Sequence, residues 1–359
     1  MRYLSFEALY DYMVKVFVAV GVPEEEAKIC ADVLIEADKR GIDSHGIGRL
    51  KPIYIDRIRE GIINPVTTIE VVKEGPTTAV IDGNNGMGQV VSKYAMALAI
   101  DKAKRFGMGM VAVRGSNHYG IAGYYATMAT EEGMIGITGT NARPSIAPTF
   151  GIENMLGTNP FVIGVPTDEP FPFVLDCATS ITQRGKIEVY QRSGKELPAG
   201  WVIGVDGQTR TDTEEVLRDL VTGGAALTPL GGIGEELGGY KGYGYATVVE
   251  ILSAALQGGA FLKALSGMSN GEKVPYGLGH FFIAIDVNAF MGLEEFKETT
   301  GRILRALRAS EKAPGHDRIY TAGEKEYDSK VERNRTGVPI NEALEKDIEA
   351  LNAIYGVSL

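Results

Sequence analysis

The chain has 359 residues and only two cysteines, Cys30 and Cys177, far apart and with no CxxC pair. That scarcity excludes a disulfide framework and a cysteine zinc site, and it fits a reducing compartment. No apolar run approaches the ~18 residues of a membrane span, and Met1-Arg2-Tyr3-Leu4-Ser5-Phe6-Glu7 lacks the apolar core of a secretory signal. An excess of cations is missing too. Lys and Arg number 36 against 46 Asp and Glu, a formal net charge of −10, which argues against nucleic acid or an anionic membrane as partner. The expectation is a cytoplasmic protein that binds neither. Two phosphate-binding fingerprints are also absent. Neither G-x-G-x-x-G nor G-x-x-x-x-G-K-[ST] occurs, and Gly83-Asn84-Asn85-Gly86-Met87-Gly88 has the wrong spacing. Any dinucleotide would have to bind without the usual Rossmann loop. Metal-ligand spacing such as H-E-x-x-H is lacking, which leaves a metal-assisted hydrolase built on His45, His118 and Asp43 without support; no metal is expected.

What is present points to a globular chain with two or three lobes. Hydrophobic residues make up 44% and charged residues 23%, ordinary for a soluble domain. Helical patterns occupy roughly 5–20 and 23–40, the second opened by Pro23 and by Glu24, Glu25 and Glu26, which suit a positive helix start. Asp43 and Ser44 are placed to cap a third helix, about 45–59. Further expectations are a strand at 77–81, helix 89–106, strand 108–113, a helix from about 119 to 132, and strand 134–139. Strands at 161–165, 172–176 and 201–205 follow without room for helices, which implies hairpins and antiparallel pairing. Helix 212–222 precedes a glycine-rich stretch at 223–244, and 245–265 is the most apolar long helical pattern. The alternation of His280-Phe281-Phe282-Ile283-Ala284-Ile285-Asp286 reads as a strand. Helices at 292–309 and 340–354 flank a charged segment, 311–336. The fold class is α/β in the broad sense (α+β), with a largely antiparallel or mixed sheet. Residues 1–70 with 290–359 would form one discontinuous helical lobe. The α/β core would span 71–289, with a small sub-domain around 90–135.

Four clusters carry chemistry. A β-rich run ends in Gly115-Ser116-Asn117-His118-Tyr119-Gly120. A histidine on such a turn titrates near neutrality and can relay a proton, while Asn117 could orient it or a bound carbonyl. In Asp43-Ser44-His45-Gly46 with Arg49, an α-helix would put His45 and Arg49 on one face, a guanidinium fork for a carboxylate beside an imidazole for a hydroxyl. The plainer alternative is a helix cap with solvated side chains. Thr158-Asn159-Pro160, then Asp176-Cys177-Ala178-Thr179-Ser180 with Arg184 and Lys186, offer hydroxyls, backbone N–H groups and cations suited to phosphate or an amide. Gly238-Gly239-Tyr240-Lys241-Gly242 frees backbone N–H groups and adds a charge. Of the remaining histidines, His280 opens a core strand and reads as structural, and His316 as solvent-facing.

Taken together, Gly41-Ile42-Asp43-Ser44-His45-Gly46 with Arg49, Gly115 to Gly120, Gly157-Thr158-Asn159-Pro160, Asp176 to Ser180, Gly239-Tyr240-Lys241-Gly242 and Gly279-His280-Phe281-Phe282 resemble, in order and spacing, the type-2 malate/L-lactate dehydrogenase family. Its archaeal-type malate dehydrogenases are the nearest likeness. Ureidoglycolate, sulfolactate and cyclic-imine oxidoreductases belong to the same family. The resemblance implies a non-Rossmann fold binding NAD or NADP, a homodimer, and hydride transfer between a 2-hydroxy acid and nicotinamide. It implies His118 as proton acceptor, with His45 the assigned donor in some relatives, and Arg49, Ser44, Asn117 and Tyr54 around the substrate. It implies cofactor contacts from Asp176 to Ser180, from Tyr240 and Lys241, and from Gly323-Glu324. Cys177 stands where a methionine is frequent, and Tyr54 lies one place from the usual tyrosine. A non-catalytic nucleotide-binding protein is the remaining alternative.

Overall fold

A computed structural model describes residues 2–359. The alternating segment at 280–286 becomes the middle of the fold: strand Leu278–Asp286 is hydrogen-bonded along both edges. It pairs antiparallel with Met108–Ser116, setting His280 opposite Val113, and antiparallel with Met134–Thr140, setting His280 opposite Thr140. Thr78–Asp82 and Glu70–Glu74 extend the sheet on the first side, Phe161–Val165 and Phe173–Cys177 on the second, giving seven strands. Among the described residues only Thr78–Asp82 and Met108–Ser116 run parallel within it. Helix Gly88–Phe106 joins that pair, because parallel neighbours need a long crossover. The sheet is therefore mixed and mostly antiparallel, as the hairpin spacing implies.

Strand side chains alternate between faces, yet Phe281 and Phe282 are both fully buried, so the sheet is covered on both sides. Each such burial contributes roughly 1.5–3 kcal/mol. Helices Gly88–Phe106 and Gly123–Glu131 cover one face. Residues 90–135 thus supply a strand of the main sheet and its covering helices. Helix Gly239–Ala254 approaches the central strand so closely that a Cβ on Gly279 would lie 1.7 Å from the Ser253 carbonyl oxygen. A second core unites Leu9, Tyr12, Phe17, Leu34 and Tyr54 with Val338, Ile340, Ile348 and Leu351, and Arg2–Leu4 pairs antiparallel with Val338–Ile340. A third gathers Ile146, Ile187, Val202, Val216 and Leu227 around the Val202–Gly204 and Ala225–Leu227 ribbon.

Four elements differ from the sequence reading. No α-helix runs through 45–59: a 3-10 turn at Ile47–Arg49 leads into a π-helical segment, Leu50–Ile55, and a single α turn, Asp56–Arg59. Pro52 lies inside it and has no N–H to donate, which disrupts α-type pairing. The helix expected from 119 begins at Gly123, leaving 117–122 as a loop. The apolar helix spans Gly239–Ala254, not 245–265. Its glycines argue locally against helix, by about 1 kcal/mol each relative to alanine. Packing decides otherwise, since a Cβ at Gly239 or Gly242 would strike the carbonyl of Gly232 or Leu230 at 2.1 and 2.2 Å. The charged segment 311–336 also holds a helix, Glu324–Thr336.

Candidate active site

Strand Met108–Ser116 delivers His118 to a loop that is held from several sides. His280 Nε2 lies 2.8 Å from Ser116 Oγ, its Nδ1 lies 2.7 Å from Thr140 Oγ1, and its ring stacks on Tyr119 with centroids 4.6 Å apart. Burial drives the His280 pKa down to about 3, so the ring is neutral and bridges two hydroxyls. Asn117 is fully buried and its amide donates to Asn85 O at 3.1 Å, Asn85 Oδ1 at 2.9 Å and Gly86 O at 3.0 Å. It fixes the loop's backbone from inside, a different task from facing a ligand.

His118 itself is half-buried. Its Nδ1 lies 2.7 Å from Tyr54 Oη and receives the Gly120 N–H at 3.3 Å. Tyr54 is completely buried and comes from the π-helical segment, so the irregular helix carries the phenol to the imidazole. With Nδ1 accepting from Gly120, the Tyr54 hydroxyl donates to it as well and the ring proton sits on Nε2; in the other tautomer Nδ1–H donates to Tyr54 Oη, the Gly120 contact is given up and Nε2 is free to accept a proton. The His45 ring stacks beside His118, centroids 5.7 Å apart and 21° from parallel, with its Nδ1 2.8 Å from Ser44 Oγ. Burial, then the Arg49 charge, lowers His45 to about 4. His118 is held well below the usual histidine range by burial first, then by His45, Arg57 and Arg49. Both rings are therefore uncharged at neutral pH.

Arg49 is brought in by the 3-10 turn rather than by a shared α-helical face. Its Nε donates to the Ser44 carbonyl, leaving the terminal nitrogens of the fork available. Asp43 does not cap a helix; it forms a two-pronged pair with Arg333, at 2.6 and 3.0 Å. Sequence reasoning missed Arg57 and Arg143, which line one cavity of about 370 Å³ with Tyr276, the Arg57 guanidinium lying 4.5 Å over the Tyr276 ring. Among the described residues no carboxylate pairs with Arg49, Arg57 or Arg143, and the pKa of Arg57 is lowered by burial first and then by the other two guanidiniums. Arg57 falls in the expected helix at 45–59 as one charged position among several, and Arg143 lies in a bend between strands, so neither belongs to a motif that local reading would single out.

The family described as malate/L-lactate dehydrogenase matches residues 4–349. The chain is 49% identical to a malate dehydrogenase of Pyrococcus horikoshii, over 97% of this chain and 93% of that protein. It is 43% identical to an L-sulfolactate dehydrogenase of Methanocaldococcus jannaschii, over 94% and 93%. The crystal structure of malate dehydrogenase from Entamoeba histolytica superposes with a TM-score of 0.96 at 46% identity, covering 100% of this chain and 99% of that one.

The chain belongs to the malate/L-lactate dehydrogenase family. Membership makes it a 2-hydroxy acid dehydrogenase and implies a nicotinamide cofactor. The residues suggested for that cofactor do not share one cavity. Asp176 and Gly323 line one cavity of about 490 Å³ with Glu36, Arg40, Tyr327 and Lys330, a volume within the range of small-molecule sites. Gly323 has φ +92° and a Cβ there would press on the Pro172 carbonyl at 2.7 Å, so only glycine lets the chain pass. Cations, carboxylates for hydroxyl groups and an aromatic ring make this donor set compatible with a nucleotide. Tyr240 and Lys241 border a different hollow, beside Leu230 and Glu235, and occupy the first turn of a helix rather than a loop. Thr158, Asn159, Thr179 and Ser180 are knitted together. Thr179 N donates to Thr158 O at 3.0 Å, Thr179 Oγ1 to Asn159 O at 3.0 Å, and Ser180 Oγ to Thr182 O at 2.8 Å. Asn159 is fully buried and donates to Glu250 at 2.8 Å. Cys177 is an exposed free thiol and Ala178 is half-buried beside it. Arg184 pairs with Glu188 at 3.0 Å on an exposed helix, and Lys186 lies over Tyr190. The Glu324 carboxylate is taken up by Thr321 and Arg318. No helix among the described residues is long and apolar enough to cross a membrane, and none of their His, Cys, Asp and Glu side chains gather in threes to hold a metal.

Proposed function

We propose that the protein oxidises a 2-hydroxy acid with two acidic groups, malate first, to the corresponding 2-oxo acid, and runs the reverse reduction. The observation that carries this reading is the stack of two neutral histidines, His118 backed by Tyr54, beside three arginines that no carboxylate neutralises. Arg49 grips the 2-hydroxy carboxylate through its free fork. One histidine, His118 first and His45 second, accepts the hydroxyl proton at Nε2, while Tyr54 takes a hydrogen bond from Nδ1 and keeps the ring aligned. Ser44 holds His45 in place. Arg57 and Arg143 offer the second acidic group a partner. Asp176 and Gly323, with Arg40 and Lys330 in the same cavity, would hold NAD or NADP, which would supply the hydride acceptor for C2. A sulfonate would meet the same arginines, so sulfolactate is the second substrate reading, supported by the sulfolactate dehydrogenase relative.

We further infer a cytoplasmic homodimer. The outer face of Gly239–Ala254 supports a dimer: Tyr245, Val248 and Ile251, continued by Leu256 and Phe261, are exposed. The test of activity is absorbance at 340 nm with NAD or NADP and a panel of 2-hydroxy acids, 2-oxo acids and imines. No change with any combination would sink the dehydrogenase mechanism. Exhaustive chelation is expected to leave turnover intact.

A further inference from the structure

Asp38 takes no part in the chemistry above, yet it is only 2% exposed. It lies at the end of helix Glu24–Lys39, beneath the turn that carries Ser44, His45 and Arg49. Its Oδ2 accepts the Ile47 N–H at 2.8 Å. A Cβ on Gly46 would lie 1.8 Å from Asp38 Oδ1, so bare glycine backbone rests against the carboxylate. Arg333 grips the same turn from helix Glu324–Thr336: its Nη1 donates to the Asp38 carbonyl and to Asp43 Oδ1, both at 2.6 Å, and its Nη2 to Asp43 Oδ2 at 3.0 Å. A buried carboxyl with so few partners is costly, and an apolar side chain would fill the same space without that cost. What the carboxyl adds is a fixed distance to Ile47 N–H, and hence a fixed path for the residues on either side.

We propose that Asp38 and Arg333 are positioning residues that clamp the turn from Asp43 to Arg49 and so set His45 and Arg49 against His118. The kinetic part of this proposal rests on the dehydrogenase reading; the clamp itself does not. The test compares Asp38→Ala, Asp38→Asn, Asp38→Leu and Arg333→Met with the unaltered protein. Amide hydrogen exchange is followed in the segment 41–50, and KM is measured separately for malate and for cofactor. Asp38→Ala is expected to accelerate exchange in that segment and to raise KM for malate, each by about tenfold, the worth of one buried hydrogen bond. The cofactor KM should stay unchanged. Asp38→Asn keeps an acceptor for Ile47 N–H and should restore both quantities, whereas Asp38→Leu, which fills the space without an acceptor, should behave like Asp38→Ala; rescue by Asp38→Leu would mark a merely space-filling role and overturn the clamp. Arg333→Met should act in the same direction and decides the matter if Asp38→Ala fails to fold. Unaltered exchange in both Asp38→Ala and Arg333→Met overturns the clamp, as do equal losses in Asp38→Ala and Asp38→Asn. Faster exchange with an unchanged malate KM overturns the positioning role. Should the unaltered protein reduce no cofactor with any 2-hydroxy acid, the dehydrogenase mechanism falls while the exchange comparison still judges the clamp.

Discussion

Burial and neighbouring guanidiniums act on the site histidines in the same direction, and the sign has a kinetic consequence. Oxidation needs a neutral base, and His118 is held below the ordinary histidine value of 6.5. In the free enzyme kcat/KM for oxidation should stay level from pH 8 down to about 6.5 and fall only below it, while reduction should gain on acidification. A pH profile whose acidic limb lies above pH 7 would contradict this assignment. His118→Ala should lower kcat by roughly 10²–10⁴-fold with the cofactor KM unchanged. Near-normal turnover in that variant would remove His118 from the proton step. His280 bears on stability instead. Its folded pKa, about 3, lies below the ordinary 6.5. Between those values the unfolded chain binds the proton that the folded chain refuses, so His280 contributes a loss of stability as pH falls through that window. Thermal unfolding from pH 7 to 4 should show the decline, lessened in His280→Gln.

Among the elements, the crossing of Thr158-Asn159 under helix Gly239–Ala254 offers the clearest test of packing. Asn159→Ala would leave Glu250 with the Leu262 N–H, at 2.8 Å, in place of two partners. The expected cost is ~1–3 kcal/mol, read from the denaturant midpoint. This crossing also shows where local reading stops. Strands 161–165 and 134–139 were legible because alternation is a local property, and helix 213–222 because Asp212 caps it and its apolar face is periodic. Helix Glu324–Thr336 was not, since its side chains are charged on nearly every face and Glu324 is its one buried residue. Its helicity depends on docking against the turn at 38–43, which no window of its own sequence contains. His118, His45 and Arg49 were legible as residue types in tight motifs. Asn117 looked equally polar but faces inward, because the direction of a side chain on a loop is set by tertiary contacts such as those with Asn85 and Gly86.

At the scale of the whole molecule, the antiparallel bias of the sheet followed from short strand spacings, whereas the place of Leu278–Asp286 at its centre did not. That strand sits between segments more than a hundred residues earlier in the chain, a pairing set by burial of both its faces. The uncovered apolar side of Gly239–Ala254 makes the assembly testable. Ile251→Glu places a charge on that face and should shift sedimentation from dimer to monomer without unfolding the sheet, as circular dichroism would show. A monomer before mutation would dismiss this interface.

The pair between Asp43 and Arg333 joins residues 290 positions apart, and its reach has a bearing on biosynthesis. On the ribosome the amino-terminal half can form strands and helices early, but the turn bearing Ser44 and His45 can be fastened only once Arg333 has been made. Strand Arg2–Leu4 waits as well, for Val338–Ile340. Closing contacts this distant in sequence is slow. The turn from Asp43 to Arg49 would therefore stay unfastened in the nascent chain until helix Glu324–Thr336 has been made and has docked against it.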